Sequence, residues 1–331
     1  MILVVGLLAP WLHSAPAWSL EKVVVGALPF VSSAPLFLAQ EEGFYEREGL
    51  EVRIEFFRAA QPVALAVTTG DLDFGVTGLT AGFFNLAHRG GLRIIAAQAQ
   101  VAPGFRFIAY CVNEEAWQAG FRSLAHYPGK RVGITQQGST FHYMIGQLAE
   151  KQGFELRRVR LVPLESVPNM IAAVQGGGVD SILLPAHLAL PLESKGVLRI
   201  LGWVGEETPW QLGAVFASGE TLARRSTMVD KFLRAYRSGA ALYADAFLQR
   251  NEAGERVFGD RARELVVKLQ RYIPSTEQQI LEGAPFIDRH AAISADDVRA
   301  QVDWVQEHRL VDDGLQVEAL FRAGIGPNSR R

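Results

Sequence analysis

Hydroxyl and amide side chains gather where this chain passes from an extended run into a helix. Ser32 and Ser33 precede Ala34-Pro35, Thr77-Gly78-Leu79-Thr80 ends one apolar run, and Gly138-Ser139-Thr140 follows another. A helix start leaves N–H groups unpaired and carries the positive end of the helix dipole, which suits an anion. Ser and Thr also cap their own helices at such positions, and the sequence leaves both uses open. Gln61, just before Pro62, adds an amide donor at another helix start. Phe30 and Phe141 lie at turns, where a ring can wall a pocket; Phe105, Phe107, Trp203 and Trp210 read first as core. His187, after Pro185, and His142, in a first helical turn, are donors to an anion when protonated. Arg106, between Phe105 and Phe107, is a bidentate partner for a carboxylate or else a solvated side chain.

Nothing beside these residues reads as reactive. There is no P-loop, and the triple Gly176–Gly178 precedes a strand, the wrong order for a dinucleotide site. No G-x-S-x-G occurs, and the seven histidines show no H-x-x-x-H spacing for zinc. Cys111 is the only cysteine, which excludes a disulfide within the chain and a Cys-rich metal site. The acidic pairs Glu41-Glu42, Glu114-Glu115 and Asp312-Asp313 read as solvated faces. No catalytic residue, cofactor or metal is therefore expected. With a net charge of −2, no broad basic face arises, and nucleic acid is not an expected partner.

The elements that must position the polar turns occur twice. KVVVGALPF at 22–30 corresponds to KRVGITQQG at 130–138, and ALAVTTGDLD at 64–73 to IAAVQGGGVD at 171–180. Gly26 and Gly133, Gly70 and Gly177, Asp73 and Asp180 are each 107 residues apart. Two similar α/β units imply two lobes and a cleft between them, where small ligands bind. Strands alternating with helices argue for parallel sheets, in which ligands sit outside the carboxyl ends of the strands. From Met228 onward apolar residues recur at helical spacing, so the tail is expected to be helical. Met1 to Trp11 is almost wholly apolar, and Ala15-Pro16-Ala17 is a small-residue cleavage signal. Residues 1–17 are read as a signal peptide, although no Lys or Arg precedes the apolar run.

Three segments carry a family resemblance: APLFLAQEEGFYEREGLEV within 26–52, TTGDLDFGVTG within 64–78, and YPGKRVGITQQG at 127–138, followed by GGGVDSILLP. They resemble the periplasmic solute-binding proteins of ABC importers, in the NMT1/THI5-like branch that handles nitrate, sulfonates, taurine and thiamine-pyrimidine precursors. The resemblance implies an α/β, type II periplasmic-binding-protein fold with two lobes joined by two crossing strands. Lobe one is expected over 18–109 plus 213–331, with the helical C-terminal region, and lobe two over 110–212. The crossings are expected near Ala109–Asn113 and Leu212–Ser218. It further implies an exported, periplasmic, monomeric, non-enzymatic protein that delivers a small organic anion, a sulfonate or carboxylate, to a permease and ATPase in the inner membrane. The expected ligand-binding set is Phe30, Ser32, Ser33, Gln61, Thr77, Gly78, Leu79, Gly138, Ser139, Thr140, Phe141 and His187. The alternatives are a ligand-sensing module for a membrane receptor and a thiamine-pyrimidine or menaquinone-pathway enzyme on the same fold.

Overall fold

Alternating apolar runs and capped helices fold, in the computed structural model, into two five-stranded sheets; residues 19–323 are described, and the signal-peptide expectation for 1–17 lies outside them. The chain first runs β1 (Glu21–Ala27), α1 (Ala34–Glu41), α2 (Phe44–Arg47), β2 (Leu50–Phe56), α3 (Ala60–Thr69), β3 (Phe74–Gly78), α4 (Ala81–His88) and β4 (Leu92–Ala97). The two-residue β5 (Gln100–Val101) leads out to β6 (Ile108–Asn113), α5 (Glu114–Gln118), β7 (Arg131–Ile134), α6 (Thr140–Gln152), β8 (Arg160–Pro163) and α7 (Val167–Gln175). There follow β9 (Ser181–Pro185), α8 (Ala186–Ser194), β10 (Leu198–Trp203) and α9 (Val204–Glu207), and β11 (Trp210–Gln211) leads back to β12 (Gly213–Ser218). Beyond it the chain is mainly helical: α10 (Gly219–Arg224), α11 (Ser226–Phe247), α12 (Ala262–Leu269), α13 (Glu277–Glu282) and α14 (Ala295–Glu307).

The sheet orders are β2-β1-β3-β12-β4 and β10-β6-β9-β7-β8, so the second is the first with each strand replaced by its counterpart. The repeat extends to single hydrogen bonds. Val24 N donates to Asp73 Oδ2 at 2.8 Å, and Arg131 N donates to Asp180 Oδ2 at 2.7 Å. Each aspartate amide returns a bond to the same partner's carbonyl, at 2.9 and 2.8 Å. Both carboxylates thus tie the start of one strand to the neighbouring first strand of their unit. Gly26 and Gly133 recur because a side chain has no room there: a Cβ would lie 2.4 Å from Leu72 Cδ1 in one and 2.9 Å from Ile182 Cγ2 in the other. Gly70 and Gly177 take φ of +84° and +70°, a left-handed turn that favours glycine.

Two expectations need correcting. The sheets are mixed rather than parallel, because β12 runs antiparallel to β3 and β4, and β6 antiparallel to β9 and β10. Each of these strands is the first formed after the chain crosses between lobes, so it enters its sheet in the opposite direction. For the same reason Ala109–Asn113 and Gly213–Ser218 are interior sheet strands, not crossings. The crossings run through β5 and β11, paired antiparallel as Trp210↔Val101 and Gln211↔Gln100. The C-terminal helices pack first on the lobe of the first sheet. α11 lies so close to α1 that a Cβ at Gly239 would stand 2.2 Å from the Pro35 carbonyl oxygen. On α11, Phe232 stacks on Phe74 at 4.0 Å and on Tyr45 at 5.2 Å. The same region also reaches across to the other lobe, with α13 against α8 and α14 against α6.

Candidate functional site

The carboxyl ends of the strands supply a chamber between the lobes. Its wall includes Leu28, Phe30 and Ser32 after β1, Thr77 and Gly78 at the end of β3, and Gln98 after β4. The other lobe contributes Thr135 and Gln136 after β7, Ser139, Thr140 and Phe141 at the start of α6, and Pro185 at the end of β9. As closed here the chamber holds about 50 Å³, room for about four waters. No lining side chain carries a charge. The polar groups are hydroxyls and amides; Phe30, Phe107, Ile108, Phe141, Met144 and Leu212 make the apolar wall.

Two backbone hydrogen bonds hold the lobes together at the chamber. Ala81 N, the first amide of α4, donates to the Gly138 carbonyl at 2.8 Å, and Val167 N, the first amide of α7, donates to the Arg58 carbonyl at 3.3 Å. Each lobe thus gives one helix-start amide to the other. Ser139 caps α6 by accepting from His142 N at 3.3 Å, and Thr80 caps α4 by accepting from Phe83 N at 3.1 Å. Capping and cavity lining therefore coexist at both helix starts. The Thr140 and Phe141 amides have no hydrogen-bond partner among the described residues. They are the unspent donors at the start of a thirteen-residue helix.

Of the sequence candidates, Phe30, Ser32, Gln61, Thr77, Gly78, Ser139, Thr140 and Phe141 line the chamber. Four others do not. Ser33 is wholly buried and its Oγ accepts from Gln98 Nε2 at 3.3 Å. Leu79 is buried, its amide bonded to the Leu212 carbonyl at 3.0 Å. Gly138 lies just behind the wall and carries the latch to Ala81. His187 is buried behind Phe30, its ring 5.3 Å from that of Phe30, and neither ring nitrogen has a partner. Burial takes its pKa down to about 3, so it stands as a neutral imidazole, not the cationic donor expected. His142 is likewise neutral: its Nδ1 accepts from Gly138 N at 3.0 Å, and burial, then the charge of His308, lower its pKa to about 4. Arg106 is exposed, away from the chamber.

Sequence reading missed Gln98, Thr135 and Gln136 as lining residues; Phe107, read first as core, is buried in the core and also lines the chamber. The rule that ligands sit at strand ends points to the first three, each lying just beyond a strand. Gln98 stands out chemically. Its Nε2 donates to Ser33 Oγ and, at 3.4 Å, to the Val76 carbonyl, while its buried Oε1 accepts nothing.

Residues 31–246 match the family model described as NMT1/THI5 like. A binding protein of Brucella abortus is 28% identical over 216 residues, 65% of this chain and 54% of the relative, so the chain spans about half the length of the curated relatives it matches. The alkanesulfonate-binding protein SsuA from Xanthomonas axonopodis pv. citri, solved bound to MOPS, superposes with a TM-score of 0.71 at 19% identity, covering 91% of this chain and 98% of that one. The periplasmic nitrate-binding protein NrtA from Synechocystis PCC 6803 superposes with a TM-score of 0.69 at 13% identity, covering 91% and 85%. These likenesses establish the periplasmic-binding-protein fold, and the family match establishes kinship: the chain belongs to the NMT1/THI5-like family.

Proposed function

We propose that this is an exported solute-binding protein that captures a small organic anion, a sulfonate or carboxylate, and delivers it to the permease and ATPase of an ABC importer. The observation that carries the reading is the interlobe chamber lined by Thr140 and Phe141, whose helix-start amides are unspent. Those amides and the dipole of α6 suit one negative charge. With no cationic side chain in the lining, a fully buried dianion is poorly compensated. The apolar wall takes the body of the solute. Lobe closure is then a population shift driven by preferential binding to the closed state.

A non-catalytic role is supported by the lining itself, which offers neither a carboxylate, a histidine, a cysteine nor a lysine for proton transfer or covalent attack. Export is supported by the sequence of residues 1–17 and by the relatives' fold. No helix among the described residues is long and apolar enough to cross a membrane.

Thermal-shift screening of alkanesulfonates, taurine, nitrate, carboxylates and pyrimidine precursors tests the reading. A ligand of the folded state adds about 2.7 kcal/mol at a hundred times its dissociation constant, a rise of several degrees. A saturable rise from a monoanion is the expected result, and none from any compound contradicts the reading.

A further inference from the structure

A buried titratable side chain without hydrogen-bond partners lies between the lobes, and no part of solute binding explains it. His187 opens α8 in lobe two and is 2% exposed, with neither ring nitrogen hydrogen-bonded. A neutral imidazole has one donor and one acceptor nitrogen, and burying both without partners is costly. Part of what covers the ring belongs to the other lobe. Phe30, just after β1, packs on it at 5.3 Å. Gly283, at the end of α13, lies against the start of α8: a Cβ there would stand 3.0 Å from Ala186 Cβ and 3.2 Å from the backbone nitrogen of His187. Through α12 and α1, α13 is tied to lobe one. Parting of the lobes at the hinge would draw Phe30 away and open the ring to water.

We propose that closure of the lobes is coupled to the protonation of His187: the closed state requires the neutral ring, and acid favours the open state. The coupling goes beyond solute capture and does not depend on which solute is bound. No charge near the ring offsets the burial of an imidazolium. On α13, Glu277 pairs with Arg263 and Glu282 accepts from Gln278. On α8, Glu193 accepts from Ile200 N, and on β10 Arg199 pairs with Glu114. The nearby β6 carries only Tyr110 and Cys111, both neutral, and β9 has no titratable group.

The sign follows from the two states. Burial alone lowers the pKa of His187 to about 3 in the closed form, whereas a solvated histidine titrates near 6.5. The open form therefore holds more protons at intermediate pH. The preference for closure is complete above about pH 6.5 and falls as pH drops towards the closed-state value. Between about pH 7.5 and about pH 5.5 the closed-to-open ratio falls about tenfold.

The test measures the interlobe distance directly and needs no solute. Spin labels placed by Leu65→Cys on α3 and Ala172→Cys on α7 report it by pulsed electron resonance; both positions are exposed, and Cys111 is buried and resists labelling. The expected result is a short-distance population at about pH 7.5 that shrinks about tenfold relative to the long one at about pH 5.5, with far-UV circular dichroism unchanged. His187→Leu is expected to abolish the response, and His187→Gln, which keeps a polar side chain that does not titrate, to abolish it as well. Identical distances at both pH values, or an undiminished response in either variant, overturns the proposal. Neither result bears on solute capture, which the thermal-shift screen tests separately.

Discussion

Replacing Gly138 with valine is expected to weaken solute capture roughly a hundredfold while leaving both sheets folded. Gly138 has φ of +73° and precedes the cap of α6. A side chain in that left-handed conformation costs about 1–2 kcal/mol. Its Cβ would also stand 2.5 Å from Ala81 Cβ on the opposite lobe, so the lobes must part to accommodate it. Parting them breaks the bond from Ala81 N to the Gly138 carbonyl and shifts the turn that presents the Thr140 and Phe141 amides. Strain and crowding together remove about 3 kcal/mol of binding, a loss of roughly a hundredfold. The check is calorimetric titration of the variant with the compound that most stabilises the parent, beside far-UV circular dichroism. Unchanged affinity in a folded variant removes this turn from the site.

The second large effect belongs to Trp304. This side chain of α14 is 4% exposed and fills a notch on α6 that exists because residue 146 is glycine: a Cβ there would lie 2.3 Å from Trp304 Cζ2. His308 stacks on the indole at 4.0 Å, and Tyr143 and His142 meet it edge-on, both at 5.2 Å. Trp304→Ala should cost about 3–5 kcal/mol, read from denaturant unfolding. Gly146→Val alone should also destabilise, because the indole is in the way. In the Trp304→Ala background it should cost little, since its side chain then enters an emptied space. Strict additivity of the two changes would show that they do not share a contact.

How far such positions could be read from sequence varies with the range of the contacts that define them. Asp73 and Asp180 were legible because each bonds an amide 49 residues earlier within its own unit, and a repeat preserves that relation. The polar turns were legible because strand ends and helix caps are local features, which is why Ser32, Thr77, Ser139 and Thr140 line the chamber. The crossings were not. β6 and β12 are buried apolar runs like any interior strand, whereas β5 and β11 have two residues each and carry no periodicity. Nor was the state of His187, which is set by burial to which Phe30, far away in sequence, contributes from the other lobe. Gln98 reads as an ordinary polar residue after a strand until its two donors are seen spent on Ser33 and Val76, leaving the acceptor alone.

The central claim is that a small solute is held where the two lobes meet. A crystal structure with the compound that gives the largest thermal shift tests it most directly. The account predicts that compound inside the chamber, its polar head on the Thr140 and Phe141 amides and its body against Phe30, Phe107 and Phe141, with the Ala81–Gly138 bond intact. The compound bound elsewhere on the surface, or the same compound seated there with the lobes apart, would contradict it.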